Sequence, residues 1–228
     1  MGKRAGFDVE CTKDGKVFDG DLNQYDLIAF YTSGDLTKPA NPKTPQPGSP
    51  MSPEGKQKLL DAIAAGKGFV GIHAATDSFR NPGKPDIDPY IAMLGGEFIG
   101  HGKQQAASVT VADAKFPGIG KYDSLVLTEE WYAQAKFAPD LHVILVQQTE
   151  GMKGDPYARP PFPATWAHMH AKGRVFYTSF GHRDDIWTNP QVQEIMLGGM
   201  AWAMRNVDAD VTPNIDKVTP GANQLKNA

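Results

Sequence analysis

A ten-residue stretch in the first third of the chain limits the possible folds more than any other feature. Gly68–Ile72 is a short apolar run bounded by glycines, which predicts a buried strand. At His73 the stretch turns polar, and small residues then continue to Asp77, as at the start of a helix. The pattern places a histidine at the carboxyl end of a strand, the edge of an open α/β sheet where ligands bind. A lone histidine is more often a hydrogen-bonded core residue, so other features must decide its role.

The preceding elements fit a parallel α/β unit. Residues 7–11 and 26–31 are predicted strands separated by turn residues. Ser52 supplies a capping hydroxyl for a helix, and Pro53 fits its first turn, where a missing N–H costs nothing. Gly66 ends the helix directly before the strand that begins at Gly68. The order strand, helix, strand predicts a right-handed parallel crossover.

The rest of the chain is predicted to contain short strands, two loops and a long final helix. Residues 37–53, which include six prolines, and residues 151–163 are predicted to be irregular loops. A helix is predicted near residues 90–94, and the long helix begins at Pro190. Further strands are predicted over residues 107–112, 125–131, 142–147, 164–168 and 174–179. Residues 1–207 form the predicted domain, and residues 208–228 form a polar C-terminal tail.

Composition narrows the class of protein and of partner. A chain of 228 residues with 40% hydrophobic residues can bury the core of one α/β domain. A formal net charge of -3 argues against nucleic-acid binding, so the predicted partner is a small molecule. Neither an apolar signal core nor a membrane-length apolar run is present, which predicts a cytoplasmic protein, or an exported one if a leader has been removed. One cysteine, Cys11, cannot form an internal disulfide or a cysteine-based zinc site.

Polar residues suited to catalysis recur near the ends of the predicted elements. Because the ends of parallel strands can converge on one cleft, these residues are candidates for a shared site. They are His73, Asp77, His101, Glu130, His168 and His182. His142 and His170 are interpreted as structural or surface residues.

Two chemistries remain open for this set. His73, His101 and His182, with one carboxylate, could bind a divalent metal such as zinc. Alternatively, His73 could exchange protons without a metal, with Asp77 orienting its ring or Glu130 sharing a proton relay. Nucleophilic hydrolysis is disfavoured, because the turn after the strand carries a histidine where a serine or cysteine would be needed.

Six segments resemble the ThuA-like family of trehalose utilisation and occur in the family's order. They are GIHAATD (71–77), LGGEF (94–98) with His101, TEEWY (128–132), PATWAH (163–168), GRVFYTSFGH (173–182) and GGMAWA (198–203). The resemblance covers roughly residues 6–205. It implies a fold like that of class I glutamine amidotransferases, a three-layer α/β sandwich with a mostly parallel central sheet. It also places His73 where those enzymes carry the nucleophilic cysteine, which argues against amidotransfer.

The resemblance implies a sugar substrate, such as a 3-keto derivative of trehalose or a related glycoside. The leading hypothesis is an enzyme that hydrolyses, eliminates or isomerises this substrate. Its predicted catalytic residues are His73, Asp77, Glu130, His168 and His182. Trp131 and Trp166 are predicted to stack on the sugar ring, and Arg183 to contact the substrate.

Two other functions remain open: a non-catalytic sugar-binding or assembly domain, and a metal-dependent hydrolase of a non-sugar substrate. The family's first strand and helix, expected upstream of residues 6–9, have no counterpart in this sequence. An uncovered sheet edge favours association between copies of a chain, so a homo-oligomer is predicted.

Overall fold

The computed structural model describes residues 1–39 and 48–225, which form a seven-stranded sheet, a two-stranded ribbon and six α-helices. The strands are β1 (Leu27–Phe30), β2 (Gly68–Ile72), β3 (Glu97–His101), β4 (Gln105–Val111), β5 (Ser124–Glu129), β6 (Tyr132–Ala135), β7 (His142–Gln147), β8 (Phe162–His170) and β9 (Gly173–Thr178). The helices are α1 (Gly2–Ala5), α2 (Pro53–Ala64), α3 (Pro89–Leu94), α4 (Asp184–Thr188), α5 (Pro190–Ala203) and α6 (Ile215–Val218). Short 3-10 turns cover Gly15–Asp19, Leu22–Gln24, His73–Asp77 and Asp155–Tyr157.

The large sheet is mixed, with the strand order β1-β2-β9-β8-β7-β4-β5. The β1–β2 and β2–β9 pairs are parallel, whereas the other four neighbouring pairs are antiparallel. The α/β class is therefore confirmed, but the prediction of a mostly parallel sheet is wrong. Short links explain the difference, because two residues, 171–172, join β8 to β9 and so small a connection fits only antiparallel strands.

The β1–α2–β2 unit forms as the sequence indicates. The Ser52 hydroxyl accepts a hydrogen bond from the Gly55 N–H at 2.8 Å, and Pro53 occupies the first helical turn. Leu59 and Ile63 are fully buried on the inner face of α2. This helix returns the chain to the same end of the sheet, so that β2 runs parallel to β1.

The final long helix packs closely on the sheet. A Cβ added to Gly199 of α5 would lie 2.5 Å from the ring of Phe176 on β9, so this close approach needs glycine. Asn189 caps the helix, since its Oδ1 accepts from the N–H groups of Gln191 and Val192 at 2.9 and 3.2 Å. The predicted start of the helix at Pro190 is confirmed.

Several local predictions differ from the structure. Residues 7–11 are not in a strand, and residues 97–101, for which no strand was predicted, form β3 and pair with β6. Of the predicted proline-rich loop, residues 40–47 lie outside the described residues. The predicted loop at 151–163 contains the Asp155–Tyr157 turn and ends as β8 begins. Each strand of the ribbon pairs with residues more than 30 positions away in the sequence, and a local sequence pattern does not reveal such a pairing.

Residues 208–225, predicted as the start of a polar tail, lie against the domain. Asn214 Oδ1 accepts a hydrogen bond from the Val143 N–H of β7 at 2.6 Å, and Asn223 Oδ1 accepts from the Phe137 N–H at 2.9 Å. Ile215 of α6 is buried. Across residues 1–39 and 48–225, no helix combines the length and hydrophobicity needed to cross a membrane.

Candidate functional site

The candidate site lies at one edge of the large sheet, where four strands end. β1, β2 and β9 run parallel to one another. Each of the four neighbouring pairs that lead from β9 to β5 is antiparallel, so β5 runs in the same direction as β9. In a flat sheet four steps would separate β5 from β9 by about 19 Å. Instead, Glu129 at the end of β5 accepts a hydrogen bond from the Gly181 N–H at 2.9 Å. The sheet is therefore curled, and the curl brings both ends into one site.

His73 occupies the turn directly after β2. Its φ is +43°, in the left-handed region, and its side chain is only 2% exposed. Nδ1 lies 2.9 Å from the carbonyl oxygen of Ser179, which can only accept, so Nδ1 carries the proton and Nε2 presents a lone pair. Burial lowers the pKa of His73, which favours the neutral ring at pH 7. Nε2 of this neutral ring can accept a proton or bind a metal.

Glu130 joins three imidazoles. Its Oε2 lies 3.4 Å from Nε2 of His73 and 3.1 Å from Nδ1 of His182. Its Oε1 lies 3.4 Å from Nδ1 of His101. His101 and His182 are 43% and 39% exposed, so the group is open to solvent on one side. We call these four residues, His73, His101, Glu130 and His182, the histidine–glutamate cluster.

Three of these residues form a candidate metal centre. One ligand atom each from His73, Glu130 and His182 lies within 4.8 Å of the other two. The lone pair of His73 Nε2 faces the carboxylate of Glu130, and two acceptors in contact repel unless a cation or a proton lies between them. His101, predicted as a third imidazole ligand, contacts the other carboxylate oxygen. The geometry therefore favours two imidazoles and one carboxylate as the ligand set.

Glu129 fixes the backbone around the cluster. It is fully buried, and its carboxylate accepts hydrogen bonds from the N–H groups of Glu130, Gly181 and His182 at 2.8, 2.9 and 3.2 Å. Burial raises the pKa of Glu129, while these three hydrogen bonds act in the opposite direction. Glu129 thus ties the loop that carries His182 to the strand end that carries Glu130. The sequence shows that Glu129 and Glu130 are adjacent, but it does not show which of the two side chains is buried.

Tyr132 forms one wall of the cluster. Its ring centroid lies 4.0 Å from that of His73 and 4.1 Å from that of Phe98, and it pairs with His101 across the β3–β6 ribbon. Burial, with the nearby charges of Asp77 and Glu130, raises the pKa of its phenol. Sequence reasoning missed Tyr132, although its position two residues after Glu130 was a usable signal.

Tyr177 supports His73 from within the sheet. Its hydroxyl donates to the carbonyl oxygen of His73 at 2.8 Å and accepts from Gln134 Nε2 at 3.0 Å. Because Tyr177 is fully buried in β9, this bond anchors the backbone of the turn whose positive φ aims the His73 ring. Neither Tyr177 nor Gln134 was among the predicted site residues.

His168 lies away from the cluster. Its Nε2 donates to the carbonyl oxygen of Met93 at 2.9 Å, and its Nδ1 lies 3.3 Å from Asp140. β8 runs antiparallel to β9, so that His168 pairs with Val175, three residues or about 10 Å from the end of β9. The structure therefore does not bring His168 together with the other predicted catalytic residues.

The Asp140–His168 contact predicts a pH-dependent contribution to stability. Because Nε2 donates to Met93, Nδ1 donates to Asp140 only when the ring carries both protons. This hydrogen bond lowers the pKa of Asp140 below the usual carboxyl value of 3.8 in the folded protein. Its stabilising effect is present above that value and is lost as the pH falls through the lowered folded pKa. Asp140→Asn should therefore reduce the free energy of unfolding near neutral pH, by under about 1 kcal/mol because Asp140 is half exposed. Urea unfolding at about pH 7 and about pH 3 should show the difference shrinking in acid. An equal difference at both pH values would contradict the prediction.

Trp131 and Trp166 do not face the cluster. They are 1% and 0% exposed, and their indole N–H groups donate to the carbonyl oxygens of Gln105 and Leu94, each at 2.9 Å. Neither ring offers a face to a sugar, so the structure contradicts the predicted stacking role. Both are core residues, because a large buried ring contributes most by packing.

Asp77 and Arg183 lie at the rim. Asp77 forms an ion pair with Arg80 rather than orienting His73. Arg183 follows His182 and bonds to Asp185 at 2.9 Å and to Gln104 at 2.9 Å. Both remain available to a bound ligand at positions next to the cluster.

Comparison with known proteins identifies the family. Residues 1–203 match the family model ThuA, described as trehalose utilisation. The chain belongs to the ThuA family. This confirms the resemblance of the six sequence segments, and the histidine–glutamate cluster of this ThuA protein draws on four of them.

Solved structures share the fold of this ThuA protein. A putative ThuA-like protein from Bacteroides uniformis has a TM-score of 0.64 at 20% identity, over 87% of this chain and 77% of the other. One from Parabacteroides merdae has a TM-score of 0.56 at 17% identity, over 93% and 83%. A β-galactosidase from Bacillus circulans has a TM-score of 0.51 at 11% identity, over 83% of this chain and 23% of the enzyme. At these identities the likeness concerns the fold alone. A search of curated proteins found no match.

Proposed function

We propose that this ThuA-family protein is a carbohydrate-active enzyme that acts on a keto derivative of trehalose or on a related glycoside, with a divalent metal such as zinc as its cofactor. One observation carries the proposal: ligand atoms of His73, Glu130 and His182 lie within 4.8 Å of one another at the edge of the sheet. The family's description as trehalose utilisation supports a sugar substrate. The histidine at the turn after β2 argues against an amidotransferase, which needs a nucleophile there.

The residues present fit a zinc ion. Ser179 fixes the proton of His73 on Nδ1, as carbonyl partners do for zinc-bound histidines, so that Nε2 is free to coordinate. Two imidazoles and one carboxylate are a ligand set of known catalytic zinc sites, which keep one position open. A metal bound there would polarise a sugar carbonyl or lower the pKa of a bound water.

His101 is suited to proton transfer. Its ring is 43% exposed and contacts Glu130 Oε1, the oxygen that faces away from His73 and His182. Hydrolysis, elimination and isomerisation of a keto-sugar all require a proton to move near the carbonyl. We assign that role to His101, whose Nδ1 donates to the carbonyl oxygen of Gly102 at 2.9 Å and lies 3.4 Å from Glu130, so that Nε2 is left to exchange the proton.

Metal removal tests the proposal directly. Protein purified without a histidine tag should contain zinc by elemental analysis and should convert a keto-glycoside of trehalose, followed by mass spectrometry. Chelation should abolish turnover, and added zinc should restore it. Full turnover by metal-free protein would contradict the role of the metal. It would indicate acid–base catalysis by Glu130 and His182, which lie 3.1 Å apart. Thermal stabilisation by the sugar without turnover would indicate a sugar-binding domain instead. Hydrolysis of non-sugar substrates alone would indicate an unrelated metal-dependent hydrolase.

Association of copies of this chain remains part of the proposal. β1 lies at one end of the seven-stranded sheet and, within the described residues, pairs on one side only. An unpaired strand edge can pair with another chain. Solution scattering at micromolar concentration should give a mass above that of one chain, and a monomeric mass would contradict this.

A further inference from the structure

A polar pocket lies beside the histidine–glutamate cluster at the same sheet edge. It has a volume of about 300 Å³ and is lined by Ser33, Gly34, Asp35, Asp77, Arg80 and Pro82. We call it the Asp77 pocket. Its volume falls at the lower end of the range of small-molecule sites, which place a few polar groups so that they converge on the ligand.

Contacts through the backbone place this pocket next to His73. Asp77 ends the short turn that begins at His73. The Gly34 N–H donates to the carbonyl oxygen of Asp77 at 3.1 Å, which ties the loop after β1 to this turn. In that loop Tyr31 is 52% exposed and donates its hydroxyl to the carbonyl oxygen of Gly181 at 2.9 Å, next to His182. The loop after β1 therefore spans from the pocket to the cluster.

A row of side chains in contact makes the second connection. The Arg80 guanidinium lies 5.2 Å from the ring centroid of Phe98. Phe98 packs against Tyr132, and Tyr132 packs against His73, with tilted rings and centroid distances of 4.1 and 4.0 Å. A ligand held by Arg80 would thus lie along the same wall that covers His73.

The charges in the pocket define the kind of ligand. Asp77 and Arg80 form an ion pair, and their side chains are 21% and 34% exposed, so their outer atoms reach solvent. A carboxylate accepts hydrogen bonds from hydroxyls, and a guanidinium donates several in a fixed plane. Asp35 adds a second carboxylate. Two carboxylates and one guanidinium give the pocket a net negative charge, which disfavours a phosphate group.

We infer that the Asp77 pocket binds the hydroxyls of a neutral, unphosphorylated sugar ring while the ring's reacting carbon lies at the histidine–glutamate cluster. This rests on the proposed function and specifies its substrate class. Asp77 is then a substrate-binding residue rather than a partner of His73, and Arg80 acts with it. A phosphorylated sugar would place its charge near Asp35 and Asp77, which repel it.

Substrate affinity, measured apart from zinc content, tests the inference. Asp77→Asn and Arg80→Gln should each raise KM, or Kd by calorimetry, about tenfold, since each removes a hydrogen bond that involves a charged group. Zinc content should match that of the parent, and kcat should change less than KM. Arg4→Gln is the matched control, because Arg4 pairs with Glu194 far along the chain at 3.9 Å and is 57% exposed. Trehalose 6-phosphate should bind at least about tenfold more weakly than trehalose.

The outcomes separate this inference from the proposed function. Unchanged KM and Kd in folded Asp77→Asn and Arg80→Gln variants, or equal affinity for the phosphorylated sugar, would overturn the pocket assignment while leaving zinc-dependent turnover intact. Wild-type protein that neither binds nor converts a sugar would overturn both. Should Arg80→Gln fail to fold, Arg80→Lys keeps the charge but loses the planar fork, so its KM should still rise. A KM equal to that of the parent in Arg80→Lys and in Asp77→Asn would overturn the assignment.

Discussion

Glu130→Gln is expected to lower kcat on a keto-glycoside by about 10²–10⁴-fold, the range of effects for a group that moves or directs a proton. The change keeps the shape of the side chain but removes its charge. Glu130 contacts His73, His101 and His182, so the variant loses both a metal ligand and the partner of the exposed imidazole. Zinc affinity should fall as well, because a neutral amide is a poorer ligand than a carboxylate. Steady-state kinetics and zinc titration by calorimetry measure the two effects.

Glu150→Gln is the matched control for this variant. Glu150 is exposed and lies in the loop after β7, so the same chemical change there should leave kcat and zinc affinity unaltered. Without zinc, both variants should have melting temperatures close to that of the zinc-free parent, because Glu130 supports the cluster rather than the core. With zinc present, Glu130→Gln should be stabilised less than the parent. Wild-type kcat in a folded Glu130→Gln variant would remove the histidine–glutamate cluster from the proposed mechanism.

The parallel part of the sheet is what sequence reasoning predicted best. An apolar run that ends in a polar residue marks a strand end, and β2 and β9 end at the same edge because they are parallel neighbours. His73 and His182 therefore both reached the predicted site. The helix between β1 and β2 was predicted equally well. Ser52 and Pro53 at its start and Gly66 after its end are local signals that need no distant partner.

Strand direction explains the residues that were misplaced. His168 also lies near the end of a strand, but β8 is antiparallel to β9, and the local pattern of a strand is the same in either direction. Trp166 lies in that strand and packs inward. Trp131 follows Glu130, and adjacent residues in extended chain point to opposite sides, so its ring is buried where Glu130 faces the cluster.

The curl of the sheet could not be predicted from local pattern, although Glu130, which the curl brings to His73, was among the candidates for the shared site. Glu129 and Gly181 are 52 residues apart and belong to strand ends that a flat sheet would separate. Tyr132 reaches His73 because the β3–β6 ribbon lies against the turn that follows β2. Such long-range contacts depend on packing, which no window of sequence contains.

Trp166→Ala is expected to lower the free energy of unfolding by about 3–5 kcal/mol, as for other buried large aromatics. The indole is fully buried, with its ring centroid 4.2 Å from that of Tyr177 and 5.6 Å from that of Phe137. Alanine would leave a cavity and would deprive the carbonyl oxygen of Leu94 of its 2.9 Å hydrogen bond. Urea unfolding followed by far-UV circular dichroism measures the loss.

The same variant distinguishes a core residue from a sugar platform. If Trp166 only packs, the folded fraction of Trp166→Ala should bind sugar with the parent's affinity, and Trp166→Phe should recover part of the lost stability because it refills most of the cavity. If Trp166 stacked on the sugar, affinity would fall while stability held. Its complete burial and its inward N–H bond favour the first result. Tyr31, which is 52% exposed, and Trp187, whose ring lies 5.3 Å from it, are more open to a ligand at this edge than Trp131 or Trp166.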